Sequence, residues 1–211
     1  MDPSTASVAQ RLEQERAVQV DRQLLTLILI HQPEQDRILL GMKKRGFGQG
    51  KWNGFGGKVE PGESFEAATK RELMEEAGIE CLDMVRAGIL WFSLEDAEGI
   101  PYRMQVVLFR GSKILGEPTE TEEMIPQWFP TSKIPFHAMW TDDSIWFPYL
   151  LSQRPFIGSF TFAPDHTTIK YSNIHTVDSL PGLDSDTSSS PKDYMTQLTQ
   201  SMAKLTQHSS S

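Results

Sequence analysis

Between Gly57 and Ile79 the sequence GKVEPGESFEAATKRELMEEAGI gathers Glu60, Glu63, Glu66, Glu72, Glu75 and Glu76 in one short stretch. Glutamates in such number suit two kinds of chemistry: holding a hard divalent cation through oxygen ligands, and taking a proton from a water. Pro61-Gly62 marks a turn, Ser64 suits an N-cap, Glu66 suits the positive first turn, and Gly78 is a natural stop. These signals predict a helix over Phe65 to Ala77. On a wheel of about 100° per residue, Glu72, Glu75 and Glu76 share a sector, with Leu73 and Ala77 beside them. An acidic helix face is most often simply solvated. Here the acids border the apolar stripe instead of lying opposite it. Like charges one turn apart repel by a few tenths of a kcal/mol, so a nearby cation would favour the arrangement.

The spacing carries further information. Gly57, five residues, Glu63, seven residues, Arg71-Glu72-Leu73, one residue, Glu75-Glu76, one residue, then Gly78-Ile79 is the pattern of the Nudix hydrolase signature. The chain resembles that family. Leu39 to Gly57, LLGMKKRGFGQGKWNGFGG, and Met139 to Pro148, MWTDDSIWFP, resemble the branch that acts on oxidised purine nucleoside triphosphates, and the likeness runs from about Leu24 to Tyr171. The resemblance implies an α/β Nudix fold, a mixed β-sheet sandwiched between α-helices. It implies magnesium-dependent hydrolysis, with manganese as a substitute, of substrates such as 8-oxo-dGTP and 2-hydroxy-dATP to monophosphate and pyrophosphate, which would sanitise the nucleotide pool.

Residue roles follow from the same likeness. Glu72, Glu75 and Glu76 match the acidic metal cluster, the Gly56 carbonyl a backbone ligand, and Glu123 an acid supplied by a later loop. Glu63 and Arg71 belong with the catalytic set, Arg71 lying one turn before Glu75 where it could orient that carboxylate. Which glutamate is the base stays open. Asn53, Asp142 and Asp143 match positions that read the purine edge, and Phe92, Met104, Trp140 and Trp146 match the walls of its pocket. Thr26, Lys43 and Phe47 match further lining positions. Aromatic plates stack on bases, and carboxylates accept from ring and exocyclic N–H groups. Adjacent acids in an apolar pocket can also share a proton and so present a donor or an acceptor. Read without the likeness, Asp142 and Asp143 are first-turn helix residues and Asn53 is a turn residue. The chain departs from the family in Glu60-Pro61, in detail over Ile89 to Leu94, in a longer connection over residues 95–101, and at both termini. Other Nudix reactions, on ADP-ribose, dinucleoside polyphosphates or RNA caps, remain alternatives, as does a non-catalytic nucleotide-binding scaffold.

The elements that must position these groups are legible in outline. Leu24 to Ile30 reads as a buried strand, followed by a turn at Pro33 to Asp36 and a second strand from Arg37 to about Met42. Ala87 to Leu94 and Tyr102 to Arg110 read as paired strands, and Pro126 to Pro130 as a shorter extended piece. Asp142 to Leu151 reads as a helix bent or shortened by Pro148. Phe156 to Phe162 and Thr168 to Ser172 read as further strands. Strands interspersed with two helices favour a layered α/β fold. The glycines from Gly46 to Gly57 invite a phosphate-loop reading, but neither Gly50-Lys51 nor Gly57-Lys58 has the upstream glycine and following Ser or Thr, and no GxGxxG spacing occurs there.

A length of 211 residues fits one domain with extensions, expected as 1–22, a hydrolase domain over 23–177, and a Ser-, Asp- and Thr-rich tail over 178–211. The formal charge of −8 argues against a nucleic-acid polymer as partner, since backbone binding needs a basic footprint. The single cysteine, Cys81, rules out an internal disulfide and suits a reducing compartment. With no apolar run of membrane-spanning length and no signal-peptide core, a monomer in the cytoplasm, with the nucleus open to it, is expected to act on a small-molecule nucleotide away from membranes.

Overall fold

Strand β1 (Arg22–Gln32) is apolar on both faces because both are covered: Ile28 and Ile30 enter one core cluster and Leu29 the other. The structure is a computed structural model that describes residues 22–95 and 98–180. The expected N-terminal extension, and most of the expected tail, lie outside the described residues.

After a 3-10 turn at Pro33–Gln35, with Asp36 in a left-handed conformation, β2 (Arg37–Lys43) runs back antiparallel to β1. The two pair only from Ile30↔Leu39 to Gln32↔Arg37, and then part. β2 continues by pairing with β3 (Trp52–Asn53) and, along its whole length, with β8 (Met124–Pro130). The longest hairpin joins β5 (Val85–Glu95) and β6 (Pro101–Gly111), with a bulge between Arg86 and Gly88. β9 (Phe156–Phe162) lies parallel to β5, and β10 (Ile169–Thr176) closes that edge. The sheet order is β10-β9-β5-β6-β1-β2-β3, with β8 branching from β2 and with β1 parallel to β6. A separate short pair joins β4 (Glu80–Cys81) to β7 (Ile114–Leu115).

Helix α1 (Phe65–Ala77) covers one face of this mixed sheet and α2 (Asp143–Leu151) the other. Phe65, Leu73 and Ala77 pack on Ile28, Val107 and Phe109. Trp146, Phe147 and Leu150 pack on Leu29, Leu108 and Phe160. The expected α/β sandwich is thus present, and the expected termini of α1 are those observed. Ser64 Oγ accepts from the Ala67 N–H at 3.1 Å, and Gly78, at φ +68°, donates to the Met74 carbonyl at 2.9 Å. α2 is short, with Pro148 in its interior. No helix among the described residues is long and apolar enough to cross a membrane.

Leu180 is 5% exposed and belongs to the same core cluster as α1. Emptying that position should therefore destabilise the domain. Leu180→Ala is expected to cost about 2 kcal/mol or more in urea unfolding, whereas a cost within measurement error would place Leu180 outside the cooperative core.

Candidate active site

The parting of β1 and β2 leaves the inner edge of β1 unpaired, and the glycine-rich segment fills it. Ile28 N–H donates to Phe55 O at 2.7 Å, Thr26 N–H to Gly57 O at 2.9 Å, and Val59 N–H to Leu24 O at 2.9 Å. Gly56, at φ +156°, lies so close that a Cβ there would collide with the Thr26 carbonyl. A Cβ on Gly57 would overlap the Glu72 carboxylate. The segment is thus clamped between β1 and the acidic face of α1. The carbonyls of Phe55 and Gly57 are used by β1, while that of Gly56 accepts no hydrogen bond from another described residue.

The acids are brought together, and two cations hold them. Arg71 reaches Glu63 through Nε and an Nη at 3.0 and 3.1 Å, Glu72 at 2.8 Å, Glu75 at 3.2 Å, and the Lys58 carbonyl at 3.1 Å. The two-pronged contact with Glu63 holds that carboxyl below the usual glutamate range. Arg71 therefore ties the helix to the loop before it, and its contact with Glu75, one turn on, is the longest of the set. The side chain of Glu75 is 58% exposed.

Glu76 is the inward member, 1% exposed, where the sequence placed it at the border of the apolar stripe. Its Oε2 accepts from the Gly56 N–H at 2.8 Å and its Oε1 from Lys43 Nζ at 2.9 Å. Burial pushes the Glu76 carboxyl up, against the opposing pull of Lys43 and of the Gly56 N–H. Burial pulls Lys43 down, but its bonds to Glu76 and Glu123 outweigh this and raise it. The two partners thus shift in the same direction for different reasons. The two donors converging on Glu76 favour its ionised form. Lys43 also reaches Glu123 at 3.3 Å, and Arg45 reaches the same carboxylate at 2.9 Å and holds it below the usual range.

Among the described residues no three or more His, Cys, Asp or Glu side chains stand together as a group that could hold a metal ion. The donor chemistry nevertheless fits a hard divalent ion: carboxylate oxygens from Glu72, Glu75 and Glu76, a Gly56 carbonyl that accepts no hydrogen bond among the described residues, and an ammonium seated between Glu76 and Glu123 where cationic charge is already accepted.

Beside this cluster opens a cavity of about 1130 Å³ whose lining includes Thr26, Lys43, Phe47, Asn53 and Gly56 from the glycine-rich side. Phe92, Met104, Trp140, Asp142, Asp143 and Trp146 line it from the other side. The nucleotide-binding positions taken from the family likeness all border this one space. Asn53 Oδ1 accepts from the Gly54 N–H at 2.8 Å, which orients the amide. Phe47, 62% exposed, stacks on Trp140 at 4.8 Å. Thr26 meets the cavity with its hydroxyl buried and unpaired among the described residues. Sequence reasoning missed Lys51, whose ammonium lies 4.9 Å from the Trp140 ring centroid and donates to the Met139 carbonyl at 3.2 Å. Its place two residues before Asn53 was the available signal. Leu94, Tyr102 and His166 also border the cavity and had no such signal.

The two aspartates are almost wholly buried. Asp142 Oδ2 accepts from Trp146 Nε1 at 3.0 Å and Asp143 Oδ2 from the Trp140 N–H at 2.9 Å. Burial raises Asp142 to about 6; burial and then the neighbouring Asp142 charge raise Asp143 well above the aspartate range. The pair holds a proton at pH values where a free aspartate has lost it. An acid raised on folding contributes its full stability below the unfolded value and loses it as pH rises toward the folded one. Asp143→Asn cannot ionise, so its urea midpoint should gain on wild type over the range from about pH 4, the free aspartate value, up toward the raised folded one. A difference constant across that range would contradict the buried-proton assignment.

Comparison with known proteins identifies the family. Residues 21–150 match the NUDIX domain model. An oxidized purine nucleoside triphosphate hydrolase of Mus musculus is 49% identical over 149 residues, 71% of this chain and 92% of that protein. Its Danio rerio counterpart is 51% identical over 139 residues, 66% of this chain and 86% of that protein. A MutT protein from Bacillus halodurans superposes with a TM-score of 0.62 at 26% identity, covering 72% of this chain and 97% of its own. The chain described here belongs to the Nudix hydrolases.

Proposed function

We propose that this enzyme hydrolyses oxidised purine nucleoside triphosphates, 8-oxo-dGTP and 2-hydroxy-dATP among them, to the monophosphate and pyrophosphate with magnesium. The observation that carries the reading is a single cavity that holds a buried acid pair flanked by aromatic walls and extends to Lys43 and the glycine-rich segment Gly56 to Lys58, against which Glu72 and Glu76 of the acidic helix face pack. The about 50% identity to vertebrate oxidized purine nucleoside triphosphate hydrolases supports the same substrate class.

The base enters between Trp140 and the Phe92–Met104 side. Because Asp142 and Asp143 each spend one oxygen on an internal donor, each keeps the other for the purine edge. A shared proton lets the pair donate to an oxo group or accept from an N–H, which suits two differently oxidised purines. The triphosphate then lies along Gly56, Gly57 and Lys58, with Lys43 at its side.

Glu72, Glu75, Glu76, the Gly56 carbonyl and Glu123 would hold the magnesium. The ion supplies neutralisation of phosphate charge and a lowered pKa for water. Glu76 keeps its charge inside the protein through Lys43 and the Gly56 N–H. Arg71 fixes the direction of Glu72 and leaves Glu75 the more exposed acid, so either is placed to accept a proton from water attacking the diphosphate link. The water oxygen bonds to one phosphorus of that link, the P–O bond from this phosphorus to the α–β bridging oxygen breaks, and the bridging oxygen keeps the electron pair and leaves with the other half, so that monophosphate and pyrophosphate form. Manganese would serve in place of magnesium, and a monomer contains every group named.

With 8-oxo-dGTP the products should be monophosphate and pyrophosphate in equal amounts, and a chelator should stop the reaction; orthophosphate alone, or turnover undiminished by chelation, would overturn the mechanism. Glu76→Gln keeps the shape and an acceptor for the Gly56 N–H but removes the charge. Its kcat should fall by at least about a hundredfold with a thermal midpoint near that of wild type. Near-normal turnover at saturating magnesium would remove Glu76 from the metal cluster.

A further inference from the structure

Trp140, the aromatic wall of the cavity next to the acid pair, is held by the connection between β2 and β3. That connection is closed at its base, where Lys43 N–H donates to the Lys51 carbonyl at 3.0 Å and Gly50 N–H to the Lys43 carbonyl at 2.8 Å. From its tip Phe47 stacks on the indole at 4.8 Å, and Gly48 passes so close that an added Cβ would stand 3.1 Å from the ring. Lys51 adds its ammonium, 4.9 Å from the ring centroid.

One hydrogen bond gives Lys51 a reach beyond packing. Its Nζ donates to the Met139 carbonyl at 3.2 Å, and the N–H of the same peptide group, that of Trp140, donates to Asp143 Oδ2 at 2.9 Å. A trans peptide group is planar, so its C=O and N–H point to opposite sides, the one to the cation and the other to the buried acid. A donor on the carbonyl polarises the amide and strengthens its N–H as a donor. An ionised carboxylate accepts that N–H more strongly than a neutral carboxyl does. Asp143 N–H in turn donates to the Trp140 carbonyl at 3.1 Å, which closes the segment on itself. Cation, peptide and acid therefore stand in series.

The other charges around the pair are placed differently. Burial and the Asp142 charge oppose ionisation of Asp143, while the Trp140 N–H, the Trp146 indole and the Lys51 charge favour it. The charged or titratable side chains that border the same cavity are Lys43 and Lys58 at the glycine-rich end, Tyr102 on β6, and His166 in the β9–β10 turn. Lys43 is engaged by Glu76 and Glu123, and His166 by the Glu95 carbonyl. Lys51 does not itself border the cavity, so its effect on a bound base passes through Trp140 and Asp143.

We propose that Lys51 is a positioning residue of the purine site, acting through the Met139–Trp140 peptide to fix the aromatic wall and to hold the buried acid pair within reach of ionisation. It thereby sets the pH range over which the pair changes from donor to acceptor toward the base. The proposal rests on the reading of the cavity as a purine nucleotide site.

The test uses the full chain with three substitutions: Lys51→Met, which keeps the stem and removes the charge, Lys51→Gln, which restores a neutral donor, and Lys51→Arg, which keeps a cation. Thermal melts verify that each variant folds. In the free protein the pH at which the Asp142 and Asp143 carboxyls ionise is followed by NMR of the carboxyl carbons. Loss of a cation disfavours a carboxylate, so this pH should rise by about half a unit or more in Lys51→Met and in Lys51→Gln, and stay within about 0.2 units of wild type in Lys51→Arg. In hydrolysis of 8-oxo-dGTP the limb of the kcat/KM profile governed by the pair should move to higher pH with it. Below that limb KM should rise about threefold to tenfold in Lys51→Met while kcat stays within about twofold, because the wall binds the base alike in ground state and transition state. A uniform loss at every pH with an unmoved carboxyl titration overturns the proposal, since Lys51 then only packs the loop. An Arg variant that shifts as far as the Met variant also overturns it. If wild type fails to hydrolyse 8-oxo-dGTP while the titration still moves in Lys51→Met, the substrate assignment falls and the hold of Lys51 on the acid pair stands.

Discussion

Carboxylates concentrated on one helix face repel one another, and the arrangement around Gly57 depends on how that repulsion is offset. Two cations do it, from opposite sides. Arg71 stands outside and binds Glu63, Glu72 and Glu75 with one planar group. Lys43 reaches in from β2 and binds Glu76 and Glu123. A surface ion pair contributes little, typically well under about 1 kcal/mol, but a fork that serves three acids and a carbonyl together fixes direction as well as charge. Arg71 thereby determines where the carboxylates of α1 point. Lys43 carries the link across the sheet, from the helix to the loop that supplies Glu123.

The split between β1 and β2 explains why so many glycines precede the helix. Once β2 turns away to pair with β8, β1 has unpaired backbone groups that must find partners. The segment Phe55 to Val59 provides them while passing under the carboxylate of Glu72. A side chain at Gly56 or Gly57 would have no room. One segment therefore completes the sheet and supplies backbone groups to the site, and Glu76 is fastened to it through the Gly56 N–H. The fold and the chemistry share these atoms, so changes at either glycine would disturb both.

Helix α1 was readable to the residue because its ends are encoded locally: Ser64 caps through its own hydroxyl, and Gly78 turns left-handed where a Cβ would be strained. Strand β1 was readable because a nearly continuous apolar run, Leu24 to Ile30, reports two buried faces. What was not readable depends on distant contacts. The position of Arg71 one turn before Glu75 suggested that acid as its partner, but the bond to Glu63 arises from the turn at Pro61-Gly62, which brings an earlier residue back. The divergence of β2 from β1 follows from competition by β8, which lies more than eighty residues downstream of the start of β2. Lys51 beside Trp140 and His166 beside Tyr102 meet only in three dimensions. The family likeness, not the local pattern, singled out Asp142 and Asp143. Their burial supplies the physical reason that two adjacent acids can serve as a proton-holding pair and not as helix-capping residues.

If Arg71 orients the acids of α1, the geometry of its fork matters and not only its charge. Arg71→Lys keeps a cation but cannot bond Glu63 in two-pronged fashion while holding Glu72. The decisive measurement is the magnesium concentration giving half-maximal hydrolysis of 8-oxo-dGTP in this variant and in wild type, with thermal midpoints measured in parallel. The account predicts a rise of about tenfold or more, the range seen when groups that orient metal ligands are lost, with the protein still folded. An unchanged magnesium requirement would show that the carboxylates find their places without Arg71, and would contradict the central claim.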